Sequence, residues 1–384
     1  MGLAIQHLIL AILLALANSC QEIRVKSQDG GVVVGRSMEV STILNSHLVS
    51  EPAGTVHQAP LPPNCPGNPV TFTNRFRTIS NWNVFAGKWM DPIVDGANEA
   101  GVSMSMLWFK GNAEYLDPDS ITGEACGNTL PHTKIGAYIL AKYESVEQVK
   151  EALESGKFPS LWAGRSMNMV PPIHYNIMDK TGAGIVLEHT KGEGAKWYDN
   201  TVGVVTNSPP FPWHMTNLRN YPHFQRNDNG REGFKYSSLG NTYTLSQQWT
   251  GSGLLGLPGD YTSPSRFVKA ATLLSLAPKP ATTDEAVVQV FHLMNAADVP
   301  YGIHETGPDN RATRTCWIAV KDLSRGCYYY RAYTDLSVKR LCFNDLPEVR
   351  SAVRMEGKFV DGFRDTSGEL QDIDSILPDE HTEL

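Results

Sequence analysis

Ten apolar residues, Leu8–Ala17, end three positions before a cysteine. Ala17 and Ser19 stand at the −3 and −1 positions of a small-residue cleavage site. The run falls short of the ~20 residues that a helix needs to cross a bilayer. Although the segment ahead of it carries neither Lys nor Arg, the pattern predicts a cleaved secretory signal over residues 1–19. Cleavage makes Cys20 the first residue of the mature chain, and no other feature narrows the chain's options as much. A cysteine there has three readings. It can carry lipid, although the lipoprotein box wants an aliphatic residue where Ala17 stands. It can pair in a disulfide. Or it can be a nucleophile whose own α-amino group, with a pKa of roughly 8, serves as its base.

The residues after Cys20 read as a hairpin. Ile23 and Val25 alternate with Glu22, Arg24 and Lys26, Gln28-Asp29-Gly30-Gly31 turns the chain, and Val32-Val33-Val34 starts a second strand. With Asp29-Gly30 as a two-residue loop, Glu39 falls opposite Cys20 and Arg36 faces the other side unless Gly35 bulges. A longer loop shifts that register. Further on, Val102–Phe109 reads as a strand with Met104, Met106 and Trp108 on one face and Ser103 and Ser105 on the other. Short strands are expected at 175–178, 185–188 and 203–206. Helices are expected at 265–276, at 282–297 and after the Ser145-x-x-Gln148 capping box. A β-meander is expected over 316–320, 327–333 and 337–343. Strands gather at both ends with helices between and no strict βαβ alternation, which predicts a layered α+β fold. Residues 51–70 read as an exposed loop, 222–252 as a polar segment, and the end from Gly368 as a solvated acidic tail.

Composition removes several functions. With 33 Lys+Arg against 40 Asp+Glu, the net charge of −7 argues against a general nucleic-acid binder. Eight Trp, 14 Tyr and 13 Phe are too many for a disordered chain. Gly251-Ser252-Gly253-Leu254-Leu255-Gly256 satisfies a dinucleotide fingerprint on paper, but no apolar strand precedes it and Pro258-Gly259 breaks the helix that must follow. The histidines are scattered, so a zinc site is not expected. Asp117 and Asp119 read as a solvated turn rather than a calcium loop.

Several motifs reinforce one another. Cys20 is followed by Gly35-Arg36-Ser37-Met38-Glu39, then Asp95-Gly96-Ala97-Asn98-Glu99-Ala100-Gly101 and Met106-Leu107-Trp108-Phe109. Val205-Thr206-Asn207-Ser208-Pro209 comes next, and last Asp260-Tyr261-Thr262-Ser263-Pro264-Ser265-Arg266-Phe267. In this order they resemble the choloylglycine hydrolase and penicillin V acylase family of N-terminal-nucleophile amidases over residues 20–345. The resemblance implies a four-layer αββα sandwich, with residues 346–384 as a C-terminal extension. It implies hydrolysis of a linear carbon–nitrogen amide bond in a small N-acyl substrate through an acyl-enzyme on Cys20, without a cofactor. Arg36 would favour the thiolate, and Glu39, where the family often has Asp, would hold the terminal amine. Asn207 and the backbone N–H of Trp108 would bind the oxyanion, and Arg266 would support the polar network around them. Taken alone, Arg36 and Glu39 read as an ordinary surface ion pair.

Substrate and setting follow from the same resemblance. Bile-salt hydrolases usually carry Asn at the position of Trp108 and penicillin acylases an aromatic residue, so Trp108 leans towards an aromatic or fatty acyl group. Met104, Met106, Trp108 and Phe109 would line its apolar surface. Conjugated bile salts and acyl-homoserine lactones are the alternatives, and a secreted or lipid-anchored binding protein on the same scaffold is the alternative of another class. Relatives are often tetramers, which suggests a homo-oligomer. The expected location is secreted or periplasmic, with no stable membrane span. Setting Cys20 aside leaves five of the six cysteines, hence at most two disulfides. Two of Cys316, Cys327 and Cys342 can pair across the meander, and Cys65 with Cys126 can form a second bridge.

Overall fold

Both faces of the first hairpin are covered, and this organises the molecule. The computed structural model describes residues 19–41, 45–85, 88–166, 169–227, 234–245, 250–306 and 310–355, so the expected signal (1–19), apart from Ser19, and the acidic tail lie outside the described residues. The hairpin is β1 (Ser19–Lys26) and β2 (Val32–Val40). Four strands follow, β3 (Ser46–Glu51), β4 (Thr78–Phe85), β5 (Lys88–Asn98) and β6 (Val102–Trp108), then helices α1 (Ile135–Lys142) and α2 (Val146–Glu154). Next come β7 (Ile173–Asp179), β8 (Gly184–Thr190), β9 (Gly194–Asp199) and β10 (Val204–Val205). Helices α3 (Phe211–Leu218), α4 (Ser263–Leu276) and α5 (Thr283–Asn295) precede β11 (Arg314–Asp322), β12 (Cys327–Ala332), β13 (Asp335–Cys342) and β14 (Ser351–Arg354).

The strands form two large antiparallel sheets. One has the order β10-β1-β2-β11-β12-β13, the other β9-β8-β7-β6-β5-β4-β3-β14. Glu22 and Arg36 point from the first sheet into the second, where Asn176 on β7 donates to Glu22 at 2.9 Å and the Val94 carbonyl on β5 accepts from Arg36. The opposite face lies under α5. A Cβ on Gly35 would sit 2.3 Å from Val290 Cγ1, so only glycine lets strand and helix approach this closely. On the outer face of the second sheet, Gly136 of α1 meets Met104 and Ile93 in the same way. The layers are therefore helix, sheet, sheet, helix, as expected.

The hairpin register differs from the two-residue-loop reading. Cys20 lies opposite Met38, Glu22 opposite Arg36, and Glu39 opposite Ser19. The last pair is Lys26 with Val32, which leaves a five-residue turn over 27–31. The reason is tertiary. Asp29 does not close a tight turn; its Oδ2 accepts the Thr283 N–H at the start of α5 (2.9 Å) while Oδ1 accepts from Gly31 (3.3 Å). Arg36 consequently shares the inner face with Cys20, and Glu39 sits on the helix face.

Local signals fared well where they were periodic. Thr282 and Glu285 form a reciprocal capping box on α5. Ser145 caps α2, but Gln148 reaches back to the Glu144 N–H (3.2 Å) rather than to that of Ser145. The meander is present, and Cys327 and Cys342 are directly opposed and disulfide-bonded. Cys65 is bonded to Cys126, while Cys316 is buried and in no disulfide. That first bridge pins the segment read as a loop, which contains Val56–Ala59, paired with Val70–Thr73. Residues beyond 345 extend the second sheet, because β14 pairs with β3. No described helix is long and apolar enough to cross a membrane.

Candidate active site

The inner face of β1 and β2 brings a thiol, an arginine and two strand ends together. Cys20 Sγ lies 3.5 Å from Arg36 Nη2 and 3.7 Å from Met38 Sδ, and all three residues are buried. Burial alone would push the guanidinium of Arg36 down, but the negative groups of Cys20, Asp95 and Glu22 outweigh it and leave its pKa above the usual value.

Asn207, just past β10, meets Cys20 from the other side. Its Oδ1 accepts the Cys20 N–H at 2.8 Å and Arg266 Nη2 at 2.7 Å. Arg266 Nη1 donates to the Cys20 carbonyl at 2.7 Å. Asn207 Nδ2 donates to the Trp108 carbonyl at 2.8 Å, which leaves one hydrogen on that nitrogen. The Phe109 N–H donates to Pro172 (2.7 Å), so the alternation along β6 turns the Trp108 N–H to the edge where Asn207 lies. The first turn of α4 fixes the remainder, with Ser263 Oγ accepting the Asn207 N–H at 2.9 Å.

Glu39 occupies a separate position. It is fully buried and faces Ser19 and α4; Oε1 accepts from Thr315 at 3.0 Å, and Oε2 has no hydrogen-bond partner among the described residues. Burial pushes its pKa up to about 7, against the opposing pull of Arg266, Ser37, Thr315 and Arg36. The structure thus assembles Cys20, Arg36, Asn207 and Arg266 directly and places Glu39 beside the residue that precedes Cys20. None of them is the surface group that its sequence neighbourhood suggests.

Two sequence readings need correction. Met104 and Met106 do not share a surface with Phe109. They pair with Ile177 and Tyr175 on the outer face of the second sheet, beneath α1, whereas Phe109 stacks on His174 within the interior (ring centroids 4.5 Å apart). Period-two alternation is the reason: the serines, not the methionines, face Cys20's layer. Glu22, read only as a polar residue alternating with Ile23 and Val25, is buried as well. It joins a network that sequence reasoning missed. Lys321 Nζ donates to Glu22 Oε1 (3.2 Å), Ser105 Oγ (3.0 Å) and Asp95, and Tyr328 donates to Asp95. The available signal was a lysine following the apolar run Cys316–Val320. Among the described residues, no group of three or more His, Cys, Asp or Glu is placed to hold a metal ion.

Comparison with known proteins bears on this geometry. The family profile described as linear amide C–N hydrolases, choloylglycine hydrolase family, matches residues 20–347. The chain is 28% identical over 331 residues to a bile salt hydrolase/transferase of Clostridium perfringens, covering 85% of this chain and 92% of that protein. It is 22% identical over 277 residues to a penicillin V acylase of Pectobacterium atrosepticum, covering 68% and 65%. A crystal structure of a variant of conjugated bile acid hydrolase from Clostridium perfringens superimposes with a TM-score of 0.74 at 26% identity, over 89% of this chain and 98% of that one.

Proposed function

Since the chain belongs to the choloylglycine hydrolase family, and is an amidohydrolase of linear amides with an N-terminal-nucleophile hydrolase fold, we propose that Cys20 is its nucleophile and an N-acyl amide its substrate. The observation that carries this reading is convergence on one residue. Arg36 reaches the Cys20 thiol from β2, while Asn207 and Arg266 reach its backbone from β10 and α4.

Removal of residues 1–19 turns the Cys20 N–H into an amine. Sγ then attacks the amide carbonyl carbon as its proton passes to that amine. The carbonyl oxygen takes up negative charge between the free hydrogen of Asn207 Nδ2 and the Trp108 N–H. Collapse breaks the carbon–nitrogen bond while the ammonium returns its proton to the leaving nitrogen. Water, deprotonated by the same amine, cleaves the thioester and restores the thiol. Glu39, facing Ser19 with an oxygen that has no partner among the described residues, suits the position of partner to the new ammonium. Two disulfides favour an oxidising compartment, which supports export to the periplasm or beyond.

The aromatic residue at position 108 resembles the acylases of the family, which favours an aromatic or fatty acyl group of the penicillin V type. Conjugated bile salts are the second reading, favoured by the longer match to the C. perfringens protein than to the acylase. Cys20→Ala should abolish hydrolysis of penicillin V, glycocholate and an acyl-homoserine lactone assayed side by side with the parent. Undiminished turnover by the variant would remove Cys20 from the mechanism, and the ranking of the three substrates chooses between the readings. Mass spectrometry should find an unmodified Cys20 at the mature N-terminus; a lipid there would favour the non-enzymatic alternative.

A further inference from the structure

Asn207 and Trp108 belong to strand ends that no common hydrogen-bond ladder joins, yet both must address one oxygen. A single buried imidazole ties their neighbours together. His174 on β7 is 2% exposed, and its Nε2 donates to the carbonyl of Thr206, the residue before Asn207, at 3.0 Å. Its ring lies flat on Phe109, the residue after Trp108, with centroids 4.5 Å apart and planes 3° from parallel. Its Nδ1 meets Glu188 Oε1 on β8 at 3.0 Å. That same oxygen accepts the Phe211 N–H (3.0 Å), where the chain enters α3 beyond Asn207. From α3, His214 Nε2 donates to the Asn207 carbonyl at 2.9 Å.

We propose that His174, held by Glu188, is a positioning residue for amide cleavage: it fixes Thr206-Asn207 and Trp108-Phe109 at the separation that lets Asn207 Nδ2 and the Trp108 N–H act on one developing oxyanion. The inference rests on the reading of Cys20 and Asn207 given above. Its physical basis is geometric. Donors to an oxyanion act only when they lie within hydrogen-bond distance of the place where charge appears, and a side chain is held there only as well as its surroundings hold it. An apolar residue at position 174 would leave the Thr206 carbonyl without its partner in the interior, whereas the Phe211 N–H would keep Glu188.

Proton counting explains why a histidine–carboxyl pair serves. The Thr206 carbonyl can only accept, so Nε2 carries a hydrogen. With a neutral ring's hydrogen on Nε2, Nδ1 can only accept, as an ionised Glu188 Oε1 can, so their contact requires one further proton, on either the ring or the carboxyl. His174 therefore holds the Thr206 carbonyl and the Glu188 carboxyl at once from the middle of a sheet. Neither residue hydrogen-bonds to Cys20; they act through Asn207 and Trp108.

The test is His174→Phe, which keeps the ring on Phe109 and removes both hydrogen bonds. With penicillin V or glycocholate as substrate, kcat should fall 10–100-fold while KM stays within two-fold, because the lost interaction operates in the transition state. Alkylation of Cys20 by iodoacetamide, followed by mass spectrometry, should stay within two-fold of the parent rate. His174→Gln, whose amide can still donate to Thr206, should recover part of kcat. An unchanged kcat in His174→Phe overturns the proposal, as does a parallel loss of kcat, substrate binding and alkylation, which would mark general loosening. Cys20→Ala assayed alongside separates the two readings. If it is inactive while His174→Phe matches the parent, only the role of His174 falls; if it is active, the nucleophile assignment falls. Should His174→Phe fail to fold, the isosteric Glu188→Gln is read by the same split, with a 3–10-fold loss of kcat expected.

Discussion

At the scale of single residues, the site is a set of side chains whose ordinary properties are altered by burial. Glu39 is the clearest case, its pKa raised by burial from 4.5 to about 7. With Ser19 still attached, the folded chain keeps a proton on Glu39 between those values while the unfolded chain has lost it. Stability therefore falls as pH rises through that window and stays low above it. Glu39→Gln in the Ser19-retaining chain should match the parent in thermal melts near pH 4.5 and exceed its Tm by a few degrees at pH 8. A Tm difference that does not change with pH would refute the assignment. Motif order singled out Cys20, Arg36, Glu39, Asn207 and Arg266 as candidates without geometry, and the structure brings Cys20, Arg36, Asn207 and Arg266 into direct contact. The positions of His174, Glu188 and Lys321 were not legible in the sequence, because each gains its meaning from partners at least 14 residues away, such as Glu188 for His174 and Glu22 and Asp95 for Lys321.

At the scale of elements, the sequence was most readable where periodicity and end signals coincided, as in α2, α4 and α5. Helix α1 escaped notice because Ile135–Lys142 is buried on nearly every side, which erases the polar stripe that announces a surface helix. The β1–β2 register was misread for a comparable reason. A local Asp-Gly signal competed with a tertiary contact, and Asp29 went to cap α5. The docking of α5 on the hairpin depends on Gly35. Gly35→Ala would place a methyl group 2.3 Å from Val290 Cγ1 and should lower stability by about 1–3 kcal/mol in denaturant titrations. Val290→Ala in the same chain should return part of that loss. An additive double mutant would show that the helix does not bear on this glycine.

At the scale of the whole molecule, the two sheets are joined by more than apolar packing. Lys321 reaches from β11 to Asp95 and Ser105 on the opposite sheet, as well as to Glu22 beside it. Lys321→Met leaves two buried carboxylates without their direct ion-pair partner and should cost about 3–5 kcal/mol of unfolding free energy. Adding Asp95→Asn should recover part of it; a single variant as stable as the parent would show that the network does not hold the sheets. The same network has a consequence for proton movement. Around Cys20 the buried charges are Arg36, Lys321 and Arg266 against Glu22, Asp95 and ionised Glu39, three of each sign. A terminal Cys20 with neutral thiol and neutral amine leaves that sum at zero, and so does its zwitterion. Losing the thiol proton to solvent would not. The proposed nucleophile can therefore be armed by a proton moving within one residue, and the surrounding low dielectric never has to hold an uncompensated charge.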